Sequence, residues 1–89
     1  MSDHLIEKED IANHHIIPAA EDRTSYWLEK LGYAVRLGNE FKGKTAVTFN
    51  TVDGPLTVYT TLWSFTDDYI QLKAGVLIPL NSILDVHYW

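Results

Sequence analysis

Few side chains in this sequence could do chemistry. His14 and His15 stand together, shortly after His4, Glu7, Glu9 and Asp10. Imidazoles and carboxylates are metal ligands, but adjacent residues point in different directions, and the set lacks the helical or strand spacing that brings ligands onto one ion. A solvated tail is the favoured reading, and no metal site is expected. If Met1 is removed, Ser2-Asp3-His4 offers a free amine, two backbone nitrogens and an imidazole, a square-planar set suited to Cu(II) or Ni(II). Any chain with an early histidine has this, so only incidental affinity is expected. Ser82, Asp85 and His87 have the residue types of a nucleophile, an acid and a base, yet closeness along a chain rarely yields the relay that catalysis requires. Asp67-Asp68 are paired carboxylates in a turn, where exposed acids need no catalytic role. No convergent set of perturbed groups emerges, so the chain is read as a non-enzyme with no cofactor.

The aromatic residues are the stronger lead. Tyr59, Trp63 and Phe65 alternate on one face of a long strand, and His87 and Trp89 join them from the last strand. Trp27, Leu28 and Leu31 lie on a helical stripe that would cover this face. The favoured expectation is that the helix buries it as a second small core, with Trp63 against Trp27 or Leu31. The competing one is a partly uncovered patch for a partner chain, since Trp and Tyr concentrate at interface hot spots.

The elements that position these residues follow from pattern. Residues 1–17 form an acidic leader, expected to be frayed or a short helix over residues 4–12. Residues 18–89 form one domain. Pro18, with Glu21 and Asp22 after it, marks a helix start, and Gly32 marks its stop. A helix is therefore expected over residues 18–31. Tyr33, Val35 and Leu37 alternate as a short strand, and a second strand runs over Lys44–Val52. Asp53-Gly54 is a hairpin signal, and Pro55 after it places the next strand's start at an unpaired or edge position. Leu56–Phe65 is a long strand apolar on both faces, with Leu56, Val58 and Leu62 on the side opposite Tyr59. Thr66-Asp67-Asp68 turns the chain, Ile70 and Leu72 face in, and Ala74-Gly75 turns it again into Val76–Ile78. Pro79–Ser82 breaks that strand as one 3₁₀ turn, and Ile83–Tyr88 closes the sheet.

Length and charge bound the function. At 89 residues with 46% hydrophobic content and no Cys, the chain is one small domain held by its core alone. The absence of Cys suits a reducing cytoplasm. The acidic start argues against a signal peptide, and no apolar run reaches membrane-spanning length. Residues 1–23 hold six acids against Lys8 and Arg23, so most of the net charge of −5 lies in the leader. That balance disfavours nucleic acid, whose binders carry a basic footprint.

This order of elements resembles the Sm-like branch of the SH3-like barrels. Asp53-Gly54, Asp67 with Ile70-Gln71-Leu72, and Val76-Leu77-Ile78 with Ile83 carry the likeness. The resemblance implies a mainly β fold, a strongly bent barrel of about five strands with the N-terminal helix packed on it. It departs at the family's RNA site. Tyr69 stands where Asn is usual, Pro79-Leu80 where Arg or Lys and Gly are usual, and Thr60 or Thr61 replaces the glycine that lets the long strand bend. A second likeness is to small acidic bacterial proteins of this fold that bind the termination factor Rho. The expected role is a cytoplasmic protein-interaction or small regulatory module, self-association included. Val76–Ile78 and Leu84–Tyr88 are its expected pairing edges. The alternatives are Sm-like RNA binding and inhibition of a factor such as Rho.

Overall fold

The computed structural model describes residues 4–21, 23–41 and 43–88. Its elements are β1 (His4–Ile6), a 3₁₀ helix (Lys8–Asn13), α1 (Thr24–Phe41), β2 (Thr45–Thr51), β3 (Gly54–Thr60), β4 (Leu62–Phe65), β5 (Tyr69–Leu72), a 3₁₀ turn (Lys73–Gly75), β6 (Leu77–Pro79), a second 3₁₀ turn (Leu80–Ser82) and β7 (Ile83–Tyr88). The strands form two sheets, ordered β1-β3-β2-β7 and β4-β5-β6. Among the described residues the molecule is thus a small, mainly β protein with one α-helix, and its strand segments outnumber the five expected. The leader supplies one of the additional segments, and a break at Thr61 in the long strand supplies the other.

β2 and β3 make the hairpin that Asp53-Gly54 announces, with Thr51 paired to Gly54 across it. Gly54 sits at φ 104°, a backbone region that side chains strain. The Thr51 hydroxyl donates to the Gly54 carbonyl at 2.7 Å and accepts from the Asp53 N–H at 3.1 Å, which fixes the turn. Beyond Thr60 the chain turns a corner. β3 belongs to the first sheet and β4 to the second, while the Thr61 carbonyl accepts from the Lys73 N–H at 3.1 Å.

The core lies between the sheets and under the helix. Val47, Phe49, Leu56, Val58 and Val86 come from one sheet, and Leu62, Ile70, Leu72 and Ile78 from the other. Trp27, Leu31 and Ala34 enter it from α1, which rests against β4, β7 and the 3₁₀ turn between β6 and β7.

Three expectations are corrected. The helix begins at Thr24 rather than Pro18, because the backbone of residues 17–19 is tied to the body by hydrogen bonds instead of to itself. The Ile17 N–H donates to the Asn50 carbonyl, the Ala19 N–H to the Asn81 carbonyl, and the Asn50 amide to the Pro18 carbonyl. Gly32 does not stop the helix, and residues 33–37 continue it instead of forming a strand. Leu31, Ala34 and Val35 keep the apolar stripe running, and burial of that stripe outweighs the roughly 1 kcal/mol glycine costs in a helix. The described part of the leader is not frayed but packs on the body, and of the short helix expected over residues 4–12 it keeps a 3₁₀ helix at Lys8–Asn13, with strand β1 before it. β1 pairs in parallel with β3, Ile11 is buried, and Ile6 and Ile16 pack beside it. The leader then crosses to the other side of the hairpin, where the Val52 N–H donates to the His15 carbonyl and Ile16 bridges Thr51.

Candidate interaction surface

The candidate aromatics sort onto three different surfaces. Tyr59 and His87 are exposed on the outer face of the first sheet, both opposite Ala46 in register, so the three form one row across β3, β2 and β7. Lys44 holds its ammonium 5.6 Å from the Tyr59 ring centre. The next row joins Thr57, Thr48 and Asp85, with the two threonine hydroxyls 2.8 Å apart.

Trp63 and Phe65 part company because β4 carries a bulge. Leu62 pairs with Leu72 but Ser64 with Gln71, so one additional residue sits in β4. A bulge shifts the two-residue alternation by one position. Leu62 and Phe65 therefore both turn inward, Leu62 buried and Phe65 packed on the core with its ring near Gly32. Trp63 is left 45% exposed on the outer face of the second sheet. The expectation that α1 buries Trp63 is overturned: Trp27 and Leu31 share the core with Leu62, Leu28 and Phe65 pack against that core, and Trp63 stays outside it. Trp89, and Ser2-Asp3 with their copper-type set, lie outside the described residues.

The remaining polar sets do not converge. Ser82 is fully buried and its hydroxyl donates to the Pro79 carbonyl at 2.6 Å, while Asp85 and His87 point out from β7. His14 Nδ1 lies 3.9 Å from an Asp53 carboxylate oxygen, too long for a hydrogen bond, and His15 faces solvent. Among the described residues no three potential metal ligands cluster. An open cleft of about 430 Å³ does gather Thr24, Asp67, Asp68, Tyr69, Pro79, Leu80 and Asn81. Its two carboxylates and one exposed aromatic face no Lys or Arg among these lining residues.

The sheet edges differ in what covers them. α1 lies along β4 and β7. On β7 the Ile83 carbonyl accepts from the Trp27 indole and the Val86 carbonyl from the Lys30 ammonium, each at 3.1 Å. Among the described residues β6 pairs only with β5. The Leu72 N–H donates to the Val76 carbonyl and the Leu80 N–H to the Asp68 carbonyl. By antiparallel alternation, Ile70 and Ile78 then exchange the ladder bonds, while Leu77, opposite Gln71, turns its N–H and C=O away from β5. Its side chain is 51% exposed, in one row with Gln71 and Ser64 across the sheet. Sequence pattern marked this strand as an edge. It did not reveal that the helix takes acceptors on the other expected edge, β7, because that depends on how α1 docks.

No family model, curated protein or solved structure matches this chain.

Proposed function

We propose that this protein is a non-enzymatic interaction module on a small, strongly bent Sm-like barrel, and that it takes a partner strand at the outer edge of β6. The observation that carries the reading is the backbone of Leu77, aimed away from β5 beneath a half-exposed apolar side chain. An edge of this kind is a template for adding a strand, with main-chain hydrogen bonds supplying affinity and side-chain rows supplying specificity. The barrel reading draws on element order. A helix, a hairpin, a strand that turns a corner between sheets, two short strands, a 3₁₀ turn and a closing strand follow one another as the resemblance requires.

The RNA-binding alternative would use the cleft, because Asp67, Tyr69 and Pro79-Leu80 stand at the positions the resemblance assigns to RNA. A phosphate there would meet two carboxylates and no compensating cation among the lining residues, which disfavours it.

Leu77→Lys tests the reading. The change places a charge on the edge of β6 while leaving the core untouched, so the melting temperature should hold. Sedimentation of the protein alone and capture from native lysate should both be compared with wild type. Loss of an association in the variant supports the reading, and associations identical in the two proteins sink it.

A further inference from the structure

Resting on that reading, we infer that the strand received at β6 is β6 of a second copy, paired antiparallel about a two-fold axis through Leu77. Charge gives the first reason. The chain carries a net −5, so two copies meet favourably only where acids are not brought face to face. Residues 74–84, which contain β6 and the turn after it, hold no charged residue at all. Edge strands that must stay single are commonly guarded by lysines or inward charges, and this one lacks both.

Hydrogen bonding gives the second reason. The outward groups of Leu77 are one donor and one acceptor on the same residue, and a two-fold axis sets each against its opposite on the second copy. Pro79, the next outward-facing position, has no N–H to leave unpaired, and its carbonyl already accepts from Ser82. The edge is therefore complementary to itself over a single residue pair. A head-to-tail pairing of β6 with β7 lacks this match, because α1 covers β7 and its Ile83 and Val86 carbonyls hold Trp27 and Lys30. The resulting dimer has one continuous sheet, β4-β5-β6-β6-β5-β4. The row Ser64–Gln71–Leu77 runs across the junction into its own mirror order, with the two Leu77 side chains in contact.

The absence of Cys from the sequence makes a direct test clean. In a hydrogen-bonded antiparallel pair the Cα atoms lie about 5.5 Å apart, inside the roughly 4.4–6.8 Å that a disulfide spans. Leu77→Cys, treated with a mild added oxidant, should convert almost wholly to a linked dimer. Ser64→Cys, exposed but at the far side of the sheet, should stay largely monomeric. Without oxidant, the wild-type weight-average mass should rise with concentration from one chain toward two. Added salt should not reverse that rise, since no ion pair lies at the junction. Equal linking of the two cysteine variants, dissociation by salt, or one chain at every concentration would overturn the inference. Loss of a complex with a different protein in Leu77→Lys, beside a strictly monomeric wild type, would reject the second copy while leaving β6 as the interaction edge.

Discussion

The indole N–H of Trp27 donates to the backbone carbonyl of Ile83 at 3.1 Å, a buried bond between residues 56 positions apart. It joins the first turns of α1 to the start of the last strand. The same helix face reaches β7 again one turn later, through Lys30 and the Val86 carbonyl. Arg23 stacks 4.6 Å from the Tyr26 ring centre, and Tyr26 meets Trp27 edge to face at 4.8 Å, so the indole is held from the solvent side as well.

Trp27→Phe keeps most of the packing and leaves the Ile83 carbonyl without its donor. It should cost about 1–3 kcal/mol, the penalty for a buried group left unsatisfied. Trp27→Ala should cost about 3–5 kcal/mol, because a cavity is added. Urea denaturation of the two variants separates the terms. A Phe variant as stable as wild type would show that the bond contributes nothing to docking the helix.

Neighbours in β4 should respond in opposite ways. Leu62 is fully buried and Trp63 nearly half exposed, although both are large and apolar. Leu62→Ala should cost about 2–5 kcal/mol. Trp63→Ala should stay within about 0.5 kcal/mol, as at other surface positions. Thermal melts of the pair check these opposite responses, and Phe65→Ala reports the bulge, since without it Phe65 would join Trp63 on the solvent face and its loss would cost little.

The leader should behave as part of the fold. Ile11 is 3% exposed, and Ile11→Ala should cost about 2–5 kcal/mol. The amides of Ile17 and Val52 each make a hydrogen bond between the leader and the body, and Ala19, just past the leader, donates to the Asn81 carbonyl. Native-state hydrogen exchange should find them protected, whereas a frayed leader would exchange them at once.

These residues also mark how far the sequence could be read. Local signals with one physical meaning were legible. Asp53-Gly54 gave the hairpin, Ile70 and Leu72 the inward face of β5, and Pro79–Ser82 the break before β7. Signals that depend on distant partners were not. Nothing near Leu62 announces a bulge, because its cause lies in the pairing of β4 with β5, so the faces of Trp63 and Phe65 were assigned by an alternation that fails there. The leader looked like a charged tail because its few isoleucines have no local period. They are spaced instead to meet β3, β2 and the core as the segment crosses the hairpin. The proposed edge was half legible: β6 and β7 were both read as edges, and only the docked helix tells them apart.

Two glycines provide the last prediction, with opposite signs. Gly32 lies inside α1, and a Cβ built there would come no nearer than 4.0 Å to the Phe65 ring, an ordinary contact. Gly32→Ala should therefore stabilise the protein by about 0.5–1 kcal/mol, by removing the freedom glycine gives the unfolded chain and adding a helix former. Gly54 has open space around its missing side chain but a φ of 104°. There Gly54→Ala gains no clash yet should cost about 1–3 kcal/mol, since an L-residue is strained in that conformation. Denaturation midpoints of the two variants beside wild type would check both. A loss at Gly32 would mean that the helix does end there, and that residues 33–37 are held by something other than the stripe of Leu31, Ala34 and Val35.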